Sequence, residues 1–159
     1  MKIKENLTDL SKEISERVNL VAVSKTKSIN DILEAYDFGI RDFGENKIQE
    51  MQFKFNDLPK DIRWHMIGHV QRNKVKYMAP FVYLIHGVDS FKLLTEINKE
   101  ALKNNRIINC LFQVRIAKEE TKFGIPIEEI ESLIKDSLEL KNVKIKGLMG
   151  MATYTDKEK

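Results

Sequence analysis

Leu20-Val21-Ala22-Val23-Ser24-Lys25-Thr26-Lys27 is an apolar run of β type that ends in lysine. With the two-residue period of a strand, Val21, Val23 and Lys25 share one face, so the run predicts a buried strand carrying Lys25 inward to the mouth of whatever it packs into. Burial disfavours an ammonium and lowers a lysine pKa, the condition under which the amine attacks an aldehyde and holds it as a Schiff base. Taken by itself, the octapeptide has a simpler reading: a lysine that caps a strand and snorkels to water, as is expected of Lys27.

Outward from this run the chain alternates. Before it, Leu7, Leu10, Ile14 and Val18 fall at intervals of three and four, which predicts an amphipathic helix over 5–18. After it, Ser28-Ile29-Asn30-Asp31 predicts a capped helix start and Gly39 its stop. A short strand over 40–43 leads into Gly44-Glu45-Asn46, and a helix with the stripe Ile48, Met51 and Phe55 closes at Asp57-Leu58-Pro59. A third strand is expected over 63–67, a basic helix over 70–79 that Pro80 ends, and a fourth strand over 81–85 leading to His86. Ser90 caps a helix with the stripe Phe91, Leu94, Ile97 and Leu102, and a fifth strand covers 107–116. A polar loop, 117–124, precedes a helix opened by Pro126, with Ile127, Ile130, Leu133, Ile134 and Leu138 toward the core. The sixth strand covers 143–148.

Six strands alternating with helices over short connections predict an α/β fold of parallel βα units. Their length suits a TIM (β/α)8-type barrel, typically about 250 residues, of which about six of the eight units are present in this chain. The doubly wound alternative lacks its glycine fingerprint, because Ser24-Lys25-Thr26-Lys27 holds no glycine. Residues 1–159 are read as a single domain, truncated before its last two units.

Composition excludes several function classes. Of 159 residues 42% are hydrophobic and 32% charged, which describes one globular domain with a sizeable core. The net charge of +3 comes from interleaved acidic and basic residues, so no nucleic-acid footprint is indicated. Cys110 stands alone in an apolar run and reads as a buried core thiol from a reducing compartment. The charged start has no signal-peptide core and no apolar run is long enough to span a bilayer, so a cytoplasmic location without membrane contact is expected.

On a barrel the strand C-termini share one mouth. That mouth would receive Lys25, Gly44-Glu45-Asn46, 65–69, His86, the loop around Lys122, and 149–151. Metal binding is not expected: His65 and His69 are four apart, but Gly68 interrupts a helix there and Met66 stands where H-E-x-x-H needs glutamate. His69 and His86 are read as polar loop residues. Neither Ser24 nor Ser90 lies in a nucleophile elbow. The run 71–76 reads as the solvated face of a helix. Met51, Met66, Met78 and Met151 are read as packing residues, whereas Met149, at a strand end beside Gly150, stays a candidate for ligand contact.

Five segments then match together: Ala22-Val23-Ser24-Lys25-Thr26-Lys27; Phe43-Gly44-Glu45-Asn46; Trp64-His65-Met66-Ile67-Gly68 with Gln71 and Asn73-Lys74; Thr121-Lys122-Phe123-Gly124-Ile125; and Gly147-Leu148-Met149. In their order and spacing the sequence resembles the pyridoxal phosphate homeostasis proteins, single-domain relatives of the N-terminal barrel of alanine racemase. The resemblance implies a (β/α)8 barrel that carries pyridoxal 5′-phosphate as a Schiff base on Lys25, with Asn46 and His65 lining the ring pocket and Met149 near it. It implies a monomeric cofactor carrier or regulator in vitamin B6 homeostasis, without established catalysis, whose partners are the cofactor and PLP-dependent apo-enzymes. Lys122 would be a transient second cofactor site or, more simply, a solvated loop lysine. A PLP-dependent racemase is the alternative, although racemization needs a second acid/base that alanine racemase takes from a further domain. A cofactor-free Schiff-base aldolase is a third reading. One departure stands out: the family's serine-bearing strand end and Arg-Ile-Gly segment, which hold the phosphate, are absent from 153–159. A chain that stopped here would expose the edges of its first and sixth strands and be prone to aggregate.

Overall fold

The computed structural model describes residues 2–116 and 123–151. Strands β1 (Ala22–Val23), β2 (Asp42–Glu45), β3 (Arg63–Met66), β4 (Leu84–Val88), β5 (Ile108–Val114) and β6 (Val143–Gly150) form one parallel sheet in chain order. Around them run α1 (Lys2–Glu13), α2 (Ile29–Phe38), α3 (Ile48–Asp57), α4 (Val75–Met78), α5 (Phe91–Lys103) and α6 (Ile130–Ser137). The strand order never reverses, so each crossover steps the same way. That is the winding of a (β/α)8 barrel and not of a doubly wound sheet, whose order turns back on itself.

The winding gives the sheet two unlike faces. Phe43, Trp64, Met66, Ile85, Cys110 and Phe112 alternate onto the helix side and are at most 1% exposed. They pack with Ile32, Met51, Leu94 and Ile97 from the helices. Each fully buried side chain of this size contributes about 1.5–3 kcal/mol, and truncating one, as in Leu94→Ala, costs about 2–5 kcal/mol. Burial also pushes the Cys110 thiol up to about 12. The other face, the barrel interior, carries Asp42, Gly44 and His65, with which Val23 and Leu84 are in register.

Helix ends follow local chemistry. Ser28 caps α2 through a capping box with Asp31, and Gly39 closes it at φ +117°. Because the Ile40 N–H still bonds the Ala35 carbonyl at 3.1 Å, the chain is leaving α2 at position 40 and β2 begins two residues later than the expected 40–43. Likewise the Phe81 and Val82 N–H groups close on the Met78 carbonyl, which moves β4 from the expected 81–85 to 84–88. The expected helix over 70–79 is a 3-10 turn, Arg72–Lys74, followed by the single turn of α4. α1 ends at Glu13, leaving Val18 exposed, while Ile3 and Leu7 pack on the core.

Other core expectations are corrected at the edges. In α5 the buried stripe is Leu93, Leu94, Ile97 and Ala101, with Leu102 exposed. In α6 only Ile130 of the expected apolar set is buried, and Ile127, Ile134 and Leu138 are exposed together with Leu148. β6 is a sheet edge, so this flank has no covering layer among the described residues.

Candidate functional site

β1 delivers Lys25 to the C-terminal end of the sheet. Val23 pairs with Gly44, and the Ser24 N–H donates to the Gly44 carbonyl at 2.9 Å. The chain then turns: the Lys27 N–H returns to the Ser24 carbonyl at 3.0 Å, and Thr26 takes a left-handed φ of +64°, a region that costs a non-glycine residue free energy. Lys25 is exposed, against the expectation of a buried amine, and Val23 is 52% exposed. The cause is that β1 has two residues and forms an open edge, so nothing roofs its inner side among the described residues. The Lys25 ammonium makes no hydrogen bond or ion pair with the described residues.

The residues flanking Lys25 are held firmly from beneath. Lys54 of α3 is 3% exposed, and its ammonium donates at 2.7 Å to the Ser24 carbonyl, to Glu45 Oε1 and to Glu50 Oε1. Three N–H donors thus meet three acceptors. The Ser24 hydroxyl donates to Glu45 Oε1 at 2.6 Å, and the Thr26 N–H donates to Glu50 Oε1 at 2.6 Å. The hydrogen bond from Lys54 holds the Glu50 carboxyl below the usual range. Glu45 is fully buried, and its Oε2 has no partner among the described residues.

Asn46 follows β2 and opens onto a cleft of about 230 Å³ that Met66, His69, Gln71, Lys47 and Lys74 also line. Neither Lys25 nor His65 is among its walls. Gly68 packs so closely on the Asn46 backbone that a Cβ there would stand 2.4 Å from the Asn46 carbonyl oxygen. His69 pairs with Asp89 at 3.2 Å and stacks on Phe123 at 3.9 Å, tying together the segments that follow three different strands.

His65 is 2% exposed on the inner face, with both ring nitrogens engaged: Nε2 lies 2.8 Å from Asp42 Oδ1 and Nδ1 lies 2.8 Å from His86 Nε2. Burial alone would raise the Asp42 carboxyl, but hydrogen bonds from Arg63 and His65 outweigh it and hold Asp42 below its ordinary value. Burial lowers His65, and burial together with the neighbouring His65 lowers His86 to about 4. Both imidazoles are therefore neutral near pH 7. An ionised Asp42 can only accept, so His65 donates from Nε2 and accepts at Nδ1 from the His86 Nε2–H. His86, expected in a polar loop, lies within β4 because that strand runs on through Gly87 to Val88.

The structure thus sets Lys25, Asn46 and Gly68 just beyond the ends of the neighbouring strands β1, β2 and β3, with Lys25 outside the Asn46 cleft, and sets His65 deeper on the inner face. Met149, half-buried on β6 and in register with Gln113, stands at the opposite sheet edge from Lys25. Lys122 lies outside the described residues. Glu45 and His86 were expected at the mouth without a role, and Asp42, Glu50 and Lys54 were not among the expected site residues. Lys54 had two signals in the sequence: it interrupts the apolar stripe of α3, and it stands four residues after Glu50.

The family model for the alanine racemase N-terminal domain matches residues 1–159. The chain is 42% identical over 138 residues to the pyridoxal phosphate homeostasis protein of Aquifex aeolicus, covering 86% of this chain and 60% of that relative's length. It is 33% identical over 166 residues to the protein of the same name from Pseudomonas aeruginosa, covering 96% and 71%. Its fold matches the structure of PipY from Synechococcus elongatus with PLP bound, at a TM-score of 0.84 and 34% identity, covering 94% of this chain and 70% of PipY.

Proposed function

The chain belongs to the alanine racemase N-terminal domain family and to its pyridoxal phosphate homeostasis proteins, and from that premise we propose that it holds pyridoxal 5′-phosphate as a Schiff base on Lys25. The observation that carries this reading is the contrast between two lysines. Lys54 is buried and commits its N–H donors to three acceptors 2.7 Å away, so an aldehyde cannot reach it. Lys25, one residue beyond the carbonyl that Lys54 grips, has an amine unpaired among the described residues and open to solvent. Once deprotonated it attacks the aldehyde carbon, a C–N bond forms, and the carbonyl oxygen leaves as water. The step reverses when water returns, which suits storage and release of a reactive aldehyde.

The neighbours fit that task. The Asn46 amide supplies hydrogen bonding at the adjoining strand end. His65, with both nitrogens committed, offers a ring face and not a proton, and Met149 contributes a polarizable thioether from the far edge. The same commitment argues against racemization, because a base on the second face of the ring is needed and His65 has none to spare. We therefore assign the protein to vitamin B6 cofactor homeostasis or carriage, with delivery to PLP-dependent apo-enzymes and no turnover of amino acids. Titration with pyridoxal 5′-phosphate should produce an imine absorbance band that borohydride abolishes and that Lys25→Ala never develops. Interconversion of alanine enantiomers by the loaded protein, followed by chiral analysis, would move the assignment to the racemases.

A further inference from the structure

We propose that Glu45, Lys54 and Glu50 form a positioning device for the Lys25 amine, acting through the backbone of the turn that bears it. The proposal rests on the assignment of Lys25 above and adds residues that make no hydrogen bond with its amine. Side-chain groups of the cluster bond the residues on both sides of Lys25: the Ser24 carbonyl through Lys54 at 2.7 Å, the Ser24 hydroxyl through Glu45 at 2.6 Å, and the Thr26 N–H through Glu50 at 2.6 Å. All three come from β2 or α3, while β1 itself has only two residues and, among the described residues, one neighbouring strand. So short an edge strand cannot hold a turn by ladder bonds alone.

Thr26 makes the need concrete. Its left-handed backbone is costly for a β-branched residue and persists only where the surroundings over-determine it. The Glu50 carboxylate accepts the N–H of that residue, and the Lys54 ammonium fixes the same carboxylate oxygen. Lys25 sits between two clamped residues while its own side chain is free to react. Reducing backbone freedom there raises the fraction of molecules in which the amine stands at the mouth, and condensation with an aldehyde becomes faster and more selective for this lysine over others. The chemistry is unchanged by the device: amine and aldehyde give imine and water.

Glu50 separates positioning from charge, because glutamine keeps an amide oxygen that accepts from Thr26 and Lys54, whereas alanine keeps neither. The protein and its Glu50→Ala and Glu50→Gln variants are mixed with pyridoxal 5′-phosphate, quenched with borohydride at intervals, and mapped by peptide mass. Amide hydrogen exchange of 24–27 is followed without cofactor. Glu50→Ala should label Lys25 about tenfold more slowly, with faster exchange across the turn and labelling of other lysines unchanged, while Glu50→Gln stays close to the parent. Equal labelling in the parent and Glu50→Ala overturns the positioning role and leaves the cofactor assignment standing. Equal losses in both variants overturn it too, since charge and not the hydrogen bond would then matter. If the parent does not label Lys25 in preference to other lysines, the cofactor assignment itself fails.

Discussion

His65 Nε2 lies 2.8 Å from Asp42 Oδ1, so residues 23 positions apart in the chain fix each other's protonation inside the sheet. The pairing extends to His86 and makes stability depend on pH. Both histidines have folded pKa values below their unfolded value of about 6.5. Between folded and unfolded values the unfolded chain binds more protons, so this stability is fully present above about pH 6.5 and is lost as pH falls toward about 4, where His86 titrates. Asp42, whose folded pKa is depressed, adds a contribution lost only at still lower pH. Thermal melts should be level above neutrality and fall from pH 6.5 downward. His86→Gln should flatten that decline, and an unchanged slope in the variant would contradict the assignment.

The Glu45–Lys54 pair predicts a severe single-site effect. Lys54→Met leaves a carboxylate with no solvent exposure and no cation to neutralise it, which should cost about 3–5 kcal/mol. Combining Glu45→Gln with Lys54→Met removes both charges and should recover most of the loss. Denaturant melts of the four species of this cycle check it, and additive effects would show that the two groups are not coupled.

Gly68 predicts an effect on the site from outside it. An added Cβ would stand 2.4 Å from the carbonyl oxygen and 2.8 Å from the Cα of Asn46, both backbone atoms that cannot rotate away. Gly68→Ala should therefore cost about 1–3 kcal/mol and displace the Asn46 amide, visible as a shift of its side-chain resonances. A melt and spectrum identical to those of the parent would contradict this close approach.

Much of the architecture was legible in the sequence because apolar periodicity and helix punctuation are local signals. Ser28 with Asp31 and Gly39 marked both ends of α2, and each of the six strands lies at or close to its expected place. Boundaries slipped where backbone hydrogen bonds carried a helix exit two or three residues into an apolar run, as at Ile40 and at Phe81–Val82. The inner-face chain Asp42–His65–His86 was not legible. Its members pair across neighbouring strands, and His86, expected in a polar loop, lies inside one. Lys54 was hidden for a related reason, since a lysine on an apolar stripe reads as solvated until its three acceptors, from three segments, are seen together. The exposed Ile127 and Leu138 carry the complementary lesson: periodicity identifies a face that packs well but not whether a neighbour covers it.

The most direct measurement is the position of the adduct. Protein equilibrated with pyridoxal 5′-phosphate is reduced with borohydride, digested, and its modified peptides identified by mass. One dominant pyridoxyl-lysine is expected, at Lys25, and it should disappear in Lys25→Ala. Modification centred on Lys27 or Lys54, or spread evenly over the surface lysines, would contradict it.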